Sequence, residues 1–191
     1  MKLCFATNNA HKLEEVQQIL GNRFQLISLK EAGFEGEIPE THETLEENSL
    51  EKAAFIYDRV QMPVFSDDSG LEVEALNGKP GVHSAHYAGT RDADVNMQKV
   101  LTELEGNTHR AAQFRAVITY CDGSQVQQFE GAVKGSLAEK KSGADGFGYD
   151  PIFVPEGYDR TFAEMSADLK NSMSHRKRAA EKLADFLHSL N

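Results

Sequence analysis

The start of the chain restricts the fold most. Leu3–Ala6 is a short apolar run, Thr7-Asn8-Asn9-Ala10-His11-Lys12 is a polar turn, and Leu13, Val16, Ile19 and Leu20 then recur at helical spacing up to Gly21. A further apolar run, Phe24–Leu29, reads as a second strand. Strand, turn, helix and strand in that order are the pattern of a β-α-β unit, which calls for parallel pairing.

The pattern continues. Thr44 with Glu47 three residues on predicts a capping box, opening a helix to about Val60 that Pro63 ends. Its buried side would be Leu45, Ala53, Ile56, Tyr57 and Val60. Val64–Asp67 predicts a short strand, Asp67-Asp68-Ser69-Gly70 a turn, and Leu71, Val73 and Ala75 a half-exposed strand. The stretch 77–90 has turn chemistry and no clear period, as an ordered loop would. A helix is predicted from about Asp92 to Glu105, closed by Gly106. Runs at about 112–121 and 125–134 flank Asp122-Gly123-Ser124 as an antiparallel hairpin. A glycine-punctuated loop at 143–151 precedes a last helix striped by Leu183, Phe186, Leu187 and Leu190. β-α-β units early and a hairpin late indicate an α/β fold with a mixed central sheet flanked by helices. With 191 residues, 40% of them hydrophobic, the chain suits one globular unit or two lobes sharing a core.

Charge narrows the function. The net charge of −10 opposes nucleic acid and anionic membranes, and no apolar run approaches the roughly 20 residues that cross a bilayer. The expectation is a soluble, cytoplasmic protein. Cys4 and Cys121, each in a strand-like run without metal-type spacing, read as reduced core residues. The acid is concentrated: Glu31–Glu74 holds thirteen acidic residues against Lys52 and Arg59, a net −11, while the rest of the chain is near +1. A solvated helix face explains much of that, but not two adjacent aspartates.

Four elements carry possible chemistry. Thr7–Lys12 leads into a helix start, where backbone amides, the helix dipole and Lys12 suit a phosphate, although a simple capped connection has the same look. It has neither the P-loop nor the dinucleotide glycine pattern. Asp67 and Asp68 repel unless solvated, hydrogen-bonded or neutralised, and hard oxygen ligands favour Mg²⁺; Glu40 offers a further carboxylate. The bland alternative is a capped turn. Phe147-Gly148-Tyr149-Asp150-Pro151 combines tight backbone geometry with an aromatic that can lie against a base, or that simply packs inward. Ser174-His175-Arg176, with Lys170 upstream, can donate to carbonyl or phosphate oxygens, or form a solvated helix surface.

In this order the elements resemble the inosine/xanthosine triphosphate pyrophosphatase family. The matching stretches are 7–12, Glu47-Asn48, Ser66–Leu71, Gly78–Gly81, Phe147–Pro151 and Ser174–Arg176, spanning essentially the whole chain. Many family members have ThrGlyAsn where this chain has Thr7-Asn8-Asn9; asparagine tolerates the positive φ that glycine would allow. The resemblance implies Mg²⁺-dependent hydrolysis of ITP, dITP and XTP to the monophosphate and pyrophosphate. It also implies a single elongated domain, 1–191, of two lobes with the site between them, and a homodimer. Carried over residue by residue, Thr7, Asn8, Asn9, Ala10, His11 and Lys12 would hold the phosphates, with Asn48 and Lys52 on the phosphate side. Asp68 would be the catalytic carboxylate and a metal ligand, with Glu40 and Asp67 as further metal ligands and Ser69 touching substrate. Phe147, Gly148, Tyr149, Asp150, Lys170, His175 and Arg176 would surround the base. Fixed donors there suit a 6-oxo purine, an acceptor where adenine presents a donor. Rival readings are a Maf-like nucleotide pyrophosphatase of other base preference, a non-catalytic nucleotide-binding module and, from charge alone, an acidic interaction protein.

Overall fold

The computed structural model describes residues 1–190; the side chains of Ala10, His11 and Glu15 lie outside what it describes. The described residues form six strands: β1 (Lys2–Phe5), β2 (Gln25–Ile27), β3 (Val64–Val73), β4 (Ala111–Cys121), β5 (Val126–Leu137) and β6 (Phe153–Pro155). They make one mixed sheet in the order β2-β1-β3-β4-β5-β6, with β1 parallel to β2 and β3, and β5 antiparallel to β6. The helices are α1 (Ala10–Leu20), α2 (Leu45–Val60), α3 (Ala93–Glu103), α4 (Ala167–Met173) and α5 (His175–Ser189). None is long and apolar enough to cross a membrane.

Two compact units share the chain, the first Met1–Asp68, Ala116–Gly131 and Arg176–Asn191, the second Ser69–Arg115 and Ala132–His175. In the first unit β1 is buried on both faces, as a central parallel strand must be. Leu3 and Phe5 join Val16, Phe24, Phe65, Leu183 and Leu187 in one cluster, while Cys4 and Ala6 join Leu29, Ile56 and Val64 in another. Phe5 and Phe65, opposite each other in the β1/β3 register, stack with centroids 4.3 Å apart. Both cysteines are free and buried, and burial pushes the Cys4 thiol up to about 11. The second unit packs Leu71, Val73, Val100, Leu104, Val133, Phe153 and Phe162 together.

Local signals hold where they are self-contained. Thr44 caps α2, accepting from the Glu47 amide at 3.2 Å while bonding the Glu47 carboxylate at 2.9 Å; Gln61, at φ +52, closes it before Pro63. Asp92 caps α3 through the Val95 amide. At the β4/β5 hairpin Asp122 accepts from the Ser124 and Gln125 amides. Gly21 and Gly106, both at positive φ, follow α1 and α3.

One expectation is overturned. Asp67–Gly70 is not a turn: β3 runs unbroken from Val64 to Val73. The two acids stay extended because cations neutralise them, as described below. Gly70 supplies room rather than a bend, since a Cβ there would lie 2.2 Å from the Gly81 carbonyl oxygen and 2.9 Å from Ser84 Oγ. Gly70→Ala should therefore lower the unfolding free energy by about 1–3 kcal/mol. Urea titration checks this; an unshifted midpoint would mean that the 81–84 segment gives way freely. Smaller differences are that β3 ends at Val73, with Glu74–Leu76 a 3-10 turn, and that β6 and α4 have no counterpart in the sequence reading.

Candidate active site

In the first unit the adjacent acids of β3 meet cations from three helices. Asp67, 2% exposed, receives Lys12 Nζ at 3.0 Å on Oδ1 and 2.9 Å on Oδ2, and Arg176 Nε at 3.2 Å on Oδ2. Lys12 comes from the first turn of α1 and Arg176 from the first turn of α5. Burial would raise the Asp67 carboxyl, but Lys12, Arg176 and Lys52 outweigh it and hold the group well below the usual carboxylate range.

Asp68 differs. Lys52, buried on α2, donates to Asp68 Oδ1 at 3.0 Å and to Glu40 Oε1 at 2.7 Å. Burial would lower the Lys52 ammonium, yet Asp68, Asp67 and Glu40 together raise it. Asp68 Oδ2 is buried with no hydrogen-bond partner, and burial raises this carboxyl against the pull of Lys52. One acid is thus saturated by cations and its neighbour keeps an open oxygen.

The polypeptide around them is braced. Asn48 is buried, with Oδ1 accepting from the His42 amide at 2.9 Å and Nδ2 donating to the His42 carbonyl at 3.1 Å, so its amide fixes the segment that carries Glu40. Ser66, next to Asp67, is tied to Ser49 of α2 through an Oγ–Oγ contact of 3.0 Å. Thr7 Oγ1 accepts from the Asn9 amide and Asn9 Oδ1 from the Lys12 amide, which shapes the entry to α1. Asn8 is exposed and is not among the described non-glycine residues with positive φ, so its place in the turn needs no left-handed backbone. The Ala10 and His11 side chains, expected at the phosphates, lie outside the described residues.

In the second unit Phe147 is 72% exposed, whereas Tyr149 is 4% exposed, with its hydroxyl donating to the Ser84 carbonyl at 2.9 Å. Between them Gly148 sits at φ +61. Buried Asp150 accepts from the Phe147 amide at 2.8 Å and binds Lys170 Nζ, which lies 4.5 Å from the Phe147 ring centroid. Gly146, at φ +82, is needed there because a Cβ would come within 2.3 Å of Asp150 Oδ2. Lys170 lies on α4, upstream of α5, which opens at His175. The His175 ring stacks on Phe114 at 5.2 Å. Ser69, the first residue of this unit, is half-buried in β3.

The sequence-derived candidates therefore fall into two groups. Lys12, Glu40, Lys52, Asp67, Asp68 and Arg176 are brought together in the first unit; Phe147, Asp150 and Lys170 are brought together in the second. Arg176, expected beside the base, has its Nε on Asp67. Tyr149, expected against the base, is in the core. Ser84 has no motif signal in the sequence, lying in a segment without a period.

Among the described residues, no three His, Cys, Asp or Glu side chains converge as a ready-made metal cage. With Asp67 saturated, the open carboxylate oxygen is Asp68 Oδ2, with Glu40 held nearby by the same lysine. That donor set fits Mg²⁺, which binds through one or two carboxylates together with substrate phosphates rather than in an all-protein cage.

The chain belongs to the Ham1 family, whose model matches residues 3–186. It is 49% identical over 188 residues to the dITP/XTP pyrophosphatase of Porphyromonas gingivalis, covering 97% of each chain. It is 44% identical over 189 residues to that of Bacillus subtilis, covering 96% of each. The solved structure of the Staphylococcus aureus Ham1 protein superposes with a TM-score of 0.94 at 37% identity, covering 100% of both chains.

Proposed function

We propose that the protein is a nucleoside triphosphate pyrophosphatase that hydrolyses dITP, ITP and XTP to the monophosphate and pyrophosphate. By removing these aberrant purine nucleotides from the free pool it would keep them out of DNA and RNA. The observation that carries this reading is the pairing of a saturated Asp67 with an open Asp68 among Lys12, Lys52 and Arg176. The names and near-complete coverage of the relatives support it.

A triphosphate brings about four negative charges, so a set of cations must share it. Lys12 at the start of α1, with the amides of Thr7–Lys12, and Lys52 on α2 would take the phosphates. Asp68 Oδ2 would orient the attacking water and receive its proton. Asp68 and Glu40 would hold Mg²⁺, with Asp67 behind them as counter-ion to Lys12 and Arg176. When bound, Mg²⁺ supplies charge neutralisation on the phosphoryl oxygens and lowers the pKa of its bound water. The exposed face of Phe147 would stack on the base, and Lys170, held by Asp150, would donate to its 6-oxo group. ATP would set an amino donor against that ammonium. His175 would also lie at the base, and Ser69 would touch the substrate. The family resemblance and the charge of −10 support a cytoplasmic homodimer acting on free nucleotides rather than on nucleic acid or membranes.

A panel of ITP, dITP, XTP, ATP and UTP, with pyrophosphate and orthophosphate detected separately, tests the reading. Pyrophosphate should be the first product, the 6-oxo purines should be preferred, and a chelator should abolish release. Orthophosphate appearing first, or a preference for UTP, would reject it.

A further inference from the structure

We infer that Tyr149 and Ser84 form a positioning pair that ties the loop carrying Phe147 to the strand carrying Asp68. This rests on the function proposed above, and what it adds is how recognition of the base reaches the reacting end. Tyr149 is buried, and its hydroxyl donates to the Ser84 carbonyl at 2.9 Å. Ser84 Oγ in turn accepts from the Leu71 amide at 2.9 Å and donates to the Gly81 carbonyl at 2.6 Å. Leu71 lies on β3 three residues beyond Asp68, and at Gly70 the missing side chain is what lets the Gly81 carbonyl lie against the strand. All these bonds lie within the second unit.

A buried tyrosine that only filled space would need no hydroxyl. One satisfied by a particular carbonyl sets the place of its loop to within a hydrogen bond. Both neighbours of that ring matter: Gly148 leads back to the exposed Phe147, and Asp150 bonds the Phe147 amide and Lys170. A base settled on Phe147 and Lys170 therefore bears on Tyr149, through it on Ser84, and through the Leu71 amide on β3. Binding energy from the base would thus be expressed in turnover and not only in affinity.

The test is Tyr149→Phe, which keeps the ring and removes only the donor. For ITP, kcat should fall about fivefold to tenfold, with KM little changed, while the slower hydrolysis of ATP keeps its rate, so the ITP/ATP ratio falls by the same factor. Ser84→Ala should act likewise, Ser84→Thr should restore the ratio, and the double variant Tyr149→Phe/Ser84→Ala should be no worse than Ser84→Ala alone. Amide hydrogen exchange at Leu71 should quicken in Tyr149→Phe. Unchanged ITP turnover, equal losses with ITP and ATP, or unchanged Leu71 exchange would overturn the inference. A parent enzyme with no preference for ITP would reject the function instead, and Leu71 exchange, which needs no substrate, would still decide whether the link exists.

Discussion

Asp68→Asn should reduce turnover by roughly 10²-fold or more while leaving the protein folded. Asparagine keeps an acceptor for Lys52, and Lys52 keeps Glu40, so the local charge balance shifts by one without stranding a cation. What is lost is the open Oδ2, the oxygen of the acid pair that makes no hydrogen bond in the structure. An amide nitrogen in its place can neither take a proton from water nor hold a hard cation. Steady-state kinetics on ITP with circular dichroism as a folding control measure this, and near-normal turnover in the folded variant would sink the role given to Asp68.

Asp67→Asn should act mainly on stability. Its carboxylate faces Lys12 and the buried Arg176 guanidinium, and removing one member of such a group leaves buried charge uncompensated, at a cost of about 3 kcal/mol. For a chain of this size that is about 6–12 °C in the melting midpoint. The pH dependence follows from the direction of the shift. The folded carboxyl lies below its unfolded value because the cations outweigh burial, so its contribution is complete above the unfolded pKa of about 3.9. It is lost as the pH falls toward the folded pKa. Parent and variant midpoints should therefore differ fully at neutral pH and converge below about pH 4. Thermal melts across that range measure it, and a constant difference would show that Asp67 stabilises by packing alone.

Asp67 also shows where sequence reading runs out. Two acids, a serine and a glycine in succession satisfy the local chemistry of a turn, and nothing within that window indicates a continuous strand. The residues that straighten it are Lys12, 55 positions earlier, and Arg176, 109 positions later. By contrast, the cap at Thr44, the stop at Pro63, the parallel pair around α1 and the hairpin at Asp122 depend on neighbours a few residues away, and those were legible. Strand β6, three residues long, and helix α4, seven, are too short to show a period. The candidate residues were legible as a set because their motifs are compact. Their division of labour was not: Phe147 and Tyr149 are interchangeable on paper, and only packing shows one ring in solvent and the other in the core. Asn48 and Arg176 likewise have the right chemistry to meet a nucleotide, yet the structure engages them with His42 and Asp67.

The reach of Arg176 has a consequence for how the protein is made. Asp67 is translated early and becomes buried, but its guanidinium partner belongs to the opening turn of the final helix, 109 residues downstream. While that helix is still inside the ribosome, the nascent chain has an acid destined for burial with Lys12 and Lys52 to offset it but without its guanidinium partner. Closing so long a separation is slow relative to local folding. The acid pair can therefore reach its final arrangement only after the last helix emerges, and a message truncated before codon 176 would encode a chain unable to complete it.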